Sequence, residues 1–165
     1  MTTEEIVNKI NAAGFQVEVN DEGPDPFIEV DRENLIATAK FLKNDPDLNF
    51  DLLMCLSGLD WPEYFQVVYH LISTEYKHTI TVKVRCLKDD PIIPSVSDIW
   101  RTAEWHEREA YDLVGIRFDG NRDLRRILLP EDWEGHPLQK DYVPPTSWHK
   151  IPLTNLGAES TNEGN

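Results

Sequence analysis

Cysteine is nearly missing from this 165-residue chain: only Cys55 and Cys86 occur, both inside apolar, strand-like runs. That excludes a disulfide-stapled scaffold and a cysteine-cluster iron–sulfur site, and each thiol reads as a small buried hydrophobe. Cations are scarce as well. Lys and Arg number 16 against 30 Asp and Glu, giving a net charge of -14. Phosphate binding rests on Lys and Arg, so nucleic acid and anionic lipid are excluded as primary partners. No apolar run approaches the roughly 18 residues of a spanning helix. Met1 to Ala13 carries Glu4 and Glu5 where a signal peptide needs a basic segment, and no apolar segment follows. A soluble, cytoplasmic chain is expected. Walker and dinucleotide glycine patterns are absent, as is a glycine-flanked serine nucleophile.

What is present reads as one α+β domain. Thr2 and Glu5 fit a capping box, and Ile6, Val7, Ile10 and Ala13 keep one helical face apolar up to Gly14. Phe15, Val17 and Val19 alternate as a strand, Asp21 to Pro26 is a turn-rich break, and Phe27 to Val30 forms a second strand. Asp31 is placed to cap a helix carrying Leu35, Ile36, Ala39 and Leu42, which Asp45-Pro46 ends. Leu52 to Leu56, Phe65 to Ile72 and Thr79 to Leu87 then read as a meander, with Gly58 and Trp61-Pro62 breaking the first pair. Lys88 to Pro94 reads as a loop. Ser95 and Asp98 start a helix with Val96, Ile99, Ala103, His106, Ala110 and Leu113 on its apolar stripe, broken near Thr102 and ended by Gly115. The economical solution is a two-layer domain, a mixed sheet of about five strands with helices on one face. It occupies residues 1–118. Residues 119–165 form an extended C-terminal arm, because Pro130, Pro137, Pro144, Pro145 and Pro152 oppose any long element. Gly157 to Asn165 has a composition that frays.

Unusual residues concentrate between Glu104 and Tyr142. Glu104, Arg108 and Asp112 stand four apart, so a charge ladder along the helix is expected. Glu107, Glu109 and Asp112 lie toward the helix C-terminus, where the macrodipole disfavours negative charge. Arg122, Arg125 and Arg126 are the internal candidates to compensate them, and a partner's arginines the external ones. His106, Glu107, Glu109, Asp132 and His136 are the right types for a metal site. Their spacing is wrong, because helical ligands stand three or four apart. His106 reads instead as a hydrogen-bonded, half-buried histidine. A small carboxylate and histidine metalloenzyme stays open as the rival reading. Trp100, Trp105, Tyr111, Trp133, Tyr142 and Trp148 accumulate beside arginines, the types enriched at interface hot spots. An arm this polar is not expected to fold on itself, and docking along another subunit is the favoured reading.

At these residues the chain resembles a known family. Glu107-Arg108-Glu109, Asp112 and Leu113-Val114 are followed by Leu124-Arg125-Arg126-Ile127-Leu128-Leu129-Pro130 and by Gly135-His136-Pro137-Leu138-Gln139-Lys140-Asp141-Tyr142. Leu56 to Trp61, Val67 to Ser73 and Pro94-Ser95-Val96 carry the same likeness upstream, so it covers about residues 50 to 145. The sequence is similar to the 30 kDa-type (C) subunit of proton-pumping NADH:quinone oxidoreductase, respiratory complex I. It departs from that pattern at Asn121, where His or Lys is usual, at Arg122, where Pro is common, and at Gln139, where Arg usually precedes the lysine.

The resemblance implies a non-redox structural and assembly subunit of the hydrophilic arm. It lies against the quinone-site subunit, the 49 kDa (D) type, and near the iron–sulfur subunits. No cofactor is implied for this chain; FMN, iron–sulfur clusters and quinone belong to the wider complex. The location implied is the cytoplasmic side of the inner membrane, peripheral and reached only through partners. The interface candidates are Glu107, Arg108, Glu109, Asp112, Arg125, Arg126, Trp133, His136, Lys140, Asp141 and Tyr142. Related membrane-bound hydrogenases and formate hydrogenlyases contain similar subunits, so the electron donor stays open. The end at Asn165 predicts a chain that is not the fused form of the 30 kDa and 49 kDa types.

Overall fold

The computed structural model describes residues 1–20 and 26–153. The fraying expected for Gly157 to Asn165, and most of the break expected at Asp21 to Pro26, lie outside them. Helix α1 (Thr3–Ala12) starts on the expected capping box: the Thr2 hydroxyl accepts from the Glu5 N–H at 3.3 Å, and the Glu5 carboxylate accepts from the Thr2 N–H at 2.8 Å. Ile6, Val7 and Ile10 turn inward. The strand expected over Phe15 to Val19 shrinks to β1 (Val19–Asn20). The Asn11 amide holds both the N–H and the carbonyl of Val17, at 2.9 and 3.0 Å, so that residue has no need of a strand partner.

Strand β2 (Phe27–Glu29) leads into helix α2 (Leu35–Asn44). Asp31 does not cap this helix as expected; a turn intervenes, and Asn34 occupies the cap position without a side-chain bond. At the other end Asp45 is extended, as Pro46 requires. Strands β3 (Leu52–Asp60), β4 (Tyr64–Ile72) and β5 (Thr79–Leu87) form the meander, and the sheet order is β1-β2-β5-β4-β3 with only β2 and β5 parallel. Ile80, Val82, Val84 and Cys86 stand opposite Leu71, Tyr69, Val67 and Phe65 on the packed face. On the solvated face Lys83 lies 3.4 Å over the Phe27 ring, and Arg85 stacks on Tyr64 and pairs with Glu29.

Gly58 does not end β3 as expected; the strand runs through it. A Cβ there would come within 3.2 Å of Ala110 and Ile116, so the missing side chain is what lets the last helix seat on this strand. The supposed loop before Ser95 contains β6 (Ile92–Pro94), which pairs in parallel with β7 (Arg117–Asp119). Ile93 and Phe118 are buried, and buried backbone must be paired. Helix α3 (Ala103–Val114) begins where the break was expected, the preceding residues forming successive turns, and ends at Gly115 in the left-handed region. After it the chain runs without a helix to a hairpin of β8 (Ser147–Trp148) and β9 (Ile151–Pro152).

A candidate interface built on the last helix and the arm

Helix α3 buries three charged residues, Glu107, Arg108 and Asp112, together with Ala103, Ala110 and Val114. The expected stripe through His106 and Leu113 is therefore rotated: both are only half-buried, and the carboxylates take the inner face. The expected ladder is also replaced, since Arg108 pairs with neither Glu104 nor Asp112. Its guanidinium donates to the carbonyls of Arg125 and Arg126 at 3.3 Å, approaches Asp123 at 3.5 Å and lies over the Trp105 ring.

Asp112 is the centre of one cluster. Its Oδ1 receives Arg126 at 2.7 Å, and its Oδ2 accepts the N–H groups of Ile127, Leu128 and Leu129 at 3.0, 2.8 and 2.9 Å. Burial alone would push this carboxyl up; the Leu129 N–H, Arg126, and the Leu128 and Ile127 N–H groups outweigh it and hold the pKa below the usual carboxylate range. The same segment caps the helix. Of the last carbonyls, those of Ala110 and Tyr111 accept from Gly115. That of Asp112 accepts from His136 Nδ1 at 2.9 Å, that of Leu113 from the Leu138 N–H at 2.9 Å, and that of Val114 from the Gln139 amide at 2.8 Å. Because a carbonyl only accepts, the proton of His136 sits on Nδ1. Arg126 therefore supplies the cation that the helix C-terminus asks for, and also binds the carbonyls of Trp133 and Gly135.

Glu107 is held by neutral groups instead. The Val96 N–H donates to one oxygen at 2.8 Å, while the Ser95 hydroxyl and the Asn121 amide donate to the other at 2.7 Å. Burial dominates and raises its pKa above the ordinary value, against the pull of Ser95, Asn121 and Val96. The phenol of Tyr69, buried and without a hydrogen-bond partner among the described residues, is pushed well up by burial and then by Glu107. Of the candidate compensators, only Arg126 meets a helix carboxylate. Arg122 pairs with Asp98 and Arg125 with Asp123.

The remaining candidates divide. Trp133 donates to the Tyr142 hydroxyl at 3.0 Å and packs at 6.3 Å from Trp148, which lies against His149. His149 and Asp132 meet at 2.5 Å. So the arm does fold partly on itself, contrary to expectation, because its aromatics cluster around the hairpin. The Lys140 N–H binds the Asp60 carboxylate at 2.8 Å, and its ammonium lies over Trp61. Glu109 and Asp141 are exposed. His106 is half-buried, but its Nδ1 lacks the expected partner among the described residues. Among those residues no group of three or more His, Cys, Asp or Glu could hold a metal ion, and no helix is long and apolar enough to cross a membrane. Ser95, Asn121 and Asp60 were not singled out as site residues by sequence; Ser95 reads there as a helix start, and the pairings that matter lie 12, 14 and 80 residues away in the chain.

Comparison with known proteins converges on one family. A model described as the 30 kDa subunit of respiratory-chain NADH dehydrogenase matches residues 28–147. The NADH-quinone oxidoreductase C-subunit of Chloroherpeton thalassium is 50% identical over 129 residues, covering 76% of this chain and 54% of that one. The chain thus spans about half that relative's length. The same subunit of Chlorobium phaeobacteroides is 49% identical over 130 residues, covering 76% of this chain and 78% of its own. Among solved structures, a trypsin-resistant fragment of Nqo5 superposes with TM-score 0.63 at 32% identity, over 75% of this chain and all of that one. A chain of the membrane-bound sulfane sulfur reductase, an archaeal respiratory membrane complex, superposes with TM-score 0.73 at 28% identity, over 85% of each. The chain belongs to the family of the 30 kDa subunit of respiratory-chain NADH dehydrogenase.

Proposed function

We propose that the chain is a non-redox structural and assembly subunit of the peripheral arm of a proton-pumping NADH:quinone oxidoreductase. It docks on the quinone-site subunit of the 49 kDa type, beside the neighbouring iron–sulfur subunits. FMN, the iron–sulfur clusters and quinone are carried by other chains, and this one supports electron transfer by holding its neighbours in place. It reaches the cytoplasmic side of the inner membrane only through those partners.

The observation that carries this reading is how the arm divides its side chains. Arg126, His136 and Gln139 turn inward to Asp112 and the helix end, while Leu128, Leu138, Val143 and Ile151 stand exposed, Val143 at 83%. Single exposed apolar residues are ordinary, but four within one segment of the chain favour a partner that covers that segment. Replacing Leu138 and Val143 by Glu leaves the internal bonds intact. Purification of the complex from native membranes should then lose the chain together with its contact to the 49 kDa-type subunit; full retention and unchanged quinone reductase activity would sink the docking role. Arg126 is unsuited to this test because it serves Asp112.

A second reading, the equivalent subunit of a related membrane-bound complex, is favoured by the likeness to the sulfane sulfur reductase chain. The same purification separates the two, because mass spectrometry of the co-eluting chains identifies either an NADH-oxidising flavoprotein or another donor.

A further inference from the structure

The five-stranded sheet ends on two unlike edges. β1, at one side, is two residues long; β3, at the other, runs for nine. Long edges are usually blunted by Lys, Pro or inward charges, because their unpaired backbone invites another strand. The β3 sequence Leu-Leu-Met-Cys-Leu-Ser-Gly-Leu-Asp has no cation and no proline; its one bulge lies between Leu53 and Cys55, and its one inward charge, Asp60, stands at its last residue, paired with Lys88. Both ends are fixed by the rest of the chain. The Thr102 hydroxyl donates to the Leu53 carbonyl at 3.2 Å, and the Lys140 N–H binds Asp60. Between them Cys55 to Leu59 leaves about 17 Å of strand, an ordinary length for strand pairing.

The side chains along this edge fit an apolar visitor. Leu53 and Leu56 face the core, but Leu52, Met54 and Leu59 are 38, 48 and 39% exposed, and Trp61 continues them at 42%. Val68, across from Ser57, is buried and adds nothing to the exposed apolar edge, which rests on Leu52, Met54, Leu59 and Trp61. Beyond the two ends of the strand stand exposed carboxylates, Asp51, which also accepts from Thr74, on one side and Glu63 on the other, with Lys140 over Trp61 and Lys88 paired to Asp60 as the cations nearby. A chain of net charge -14 presents this edge most readily to a basic partner.

We propose that β3 takes up an extended segment of a neighbouring subunit by strand addition, a segment apolar at alternate positions and flanked by Lys or Arg. Backbone bonds along the edge hold the visitor, Leu52, Met54, Leu59 and Trp61 receive its apolar side chains, and Asp51 and Glu63 receive its basic flanks. This surface meets the arm only at its Asp60–Trp61 end, where Lys140 lies. The inference rests on the assembly-subunit reading and deepens it.

Hydrogen exchange on the full chain, alone and within the purified complex, tests it first. Those amides of Cys55 to Leu59 that alternate away from β4 should gain at least about tenfold protection in the complex. Met54→Lys with Leu59→Lys, at exposed positions that leave the core intact, should lower retention of the chain in the complex at least about tenfold while its melting transition stays in place. If the arm variants release the chain and the β3 variant is retained with no gain in protection, strand addition is overturned and the subunit reading stands. If the wild-type chain is in no complex at all, both fall. A second copy of this chain on β3 within the native complex also overturns the proposal.

Discussion

Two carboxylates of one helix, both fully buried and less than two turns apart, have pKa values shifted in opposite directions. Asp112 has a guanidinium and three backbone N–H groups, and its pKa falls. Glu107 has a hydroxyl, an amide and one backbone N–H, and its pKa rises. Burial opposes ionisation at both, so the difference lies in what the surrounding chain supplies. At Asp112 the arm delivers Arg126 and a run of free N–H groups. At Glu107 the corresponding delivery is Asn121, standing where the resembled family usually has His or Lys, and no cation arrives. One node is an ionic clasp; the other is a joint without a cation, between Ser95, α3 and the turn after β7.

The largest effect is expected at the clasp. Asp112→Ala leaves Arg126 and three N–H groups without their acceptor, a loss of about 3–5 kcal/mol in urea unfolding. A loss no larger than that of an exposed substitution would erase the distinction between the two nodes. Next is Gly115→Ala. Gly115 sits at φ 89°, and a Cβ there would lie 2.8 Å from the His136 ring. Strain and overpacking together should cost about 1–3 kcal/mol and shift the arm at His136. Smallest is Glu107→Gln, whose value is its sign. A raised folded pKa means that Glu107 contributes stability fully present below its unfolded value and lost as pH rises through the folded one. The variant should therefore gain on wild type as pH rises from about 4. Asp112 runs the other way: its contribution is complete above the ordinary carboxylate value and is lost as pH falls beneath it. Urea titrations from about pH 2 to about pH 7 check both slopes, and a variant that loses ground as pH rises would contradict the raised pKa of Glu107.

The sheet and helices were legible in the sequence because their signals are local. The capping box at Thr2 and Glu5, the alternation from Ile80 to Cys86 and the stop at Gly115 each act within a few residues. Gly58 misled because a glycine in a strand marks either a break or a close approach, and only the position of Ala110 decides which. β6 and β7 are three residues each and pair across the whole of α3, beyond the reach of any periodicity. The candidate site was legible in composition and not in geometry. The need for a cation near Asp112 followed from the helix dipole, and Arg126 meets it. Which face of α3 turns inward did not follow, because charged residues can be buried only when distant partners satisfy them, and Ser95, Asn121 and the N–H groups of Ile127 to Leu129 carry no such mark in the sequence.

The central claim is that Asp112 fastens the arm to the helix, leaving the arm's apolar side chains outward. Hydrogen exchange at the amides of Ile127, Leu128 and Leu129 tests it most directly, in the wild-type chain and in Asp112→Ala. The account predicts protection of all three in the wild type and their joint loss in the variant, while the amides of β4 and β5 stay protected. Amides that already exchange freely in the wild type, or that stay protected without the carboxylate, would contradict it.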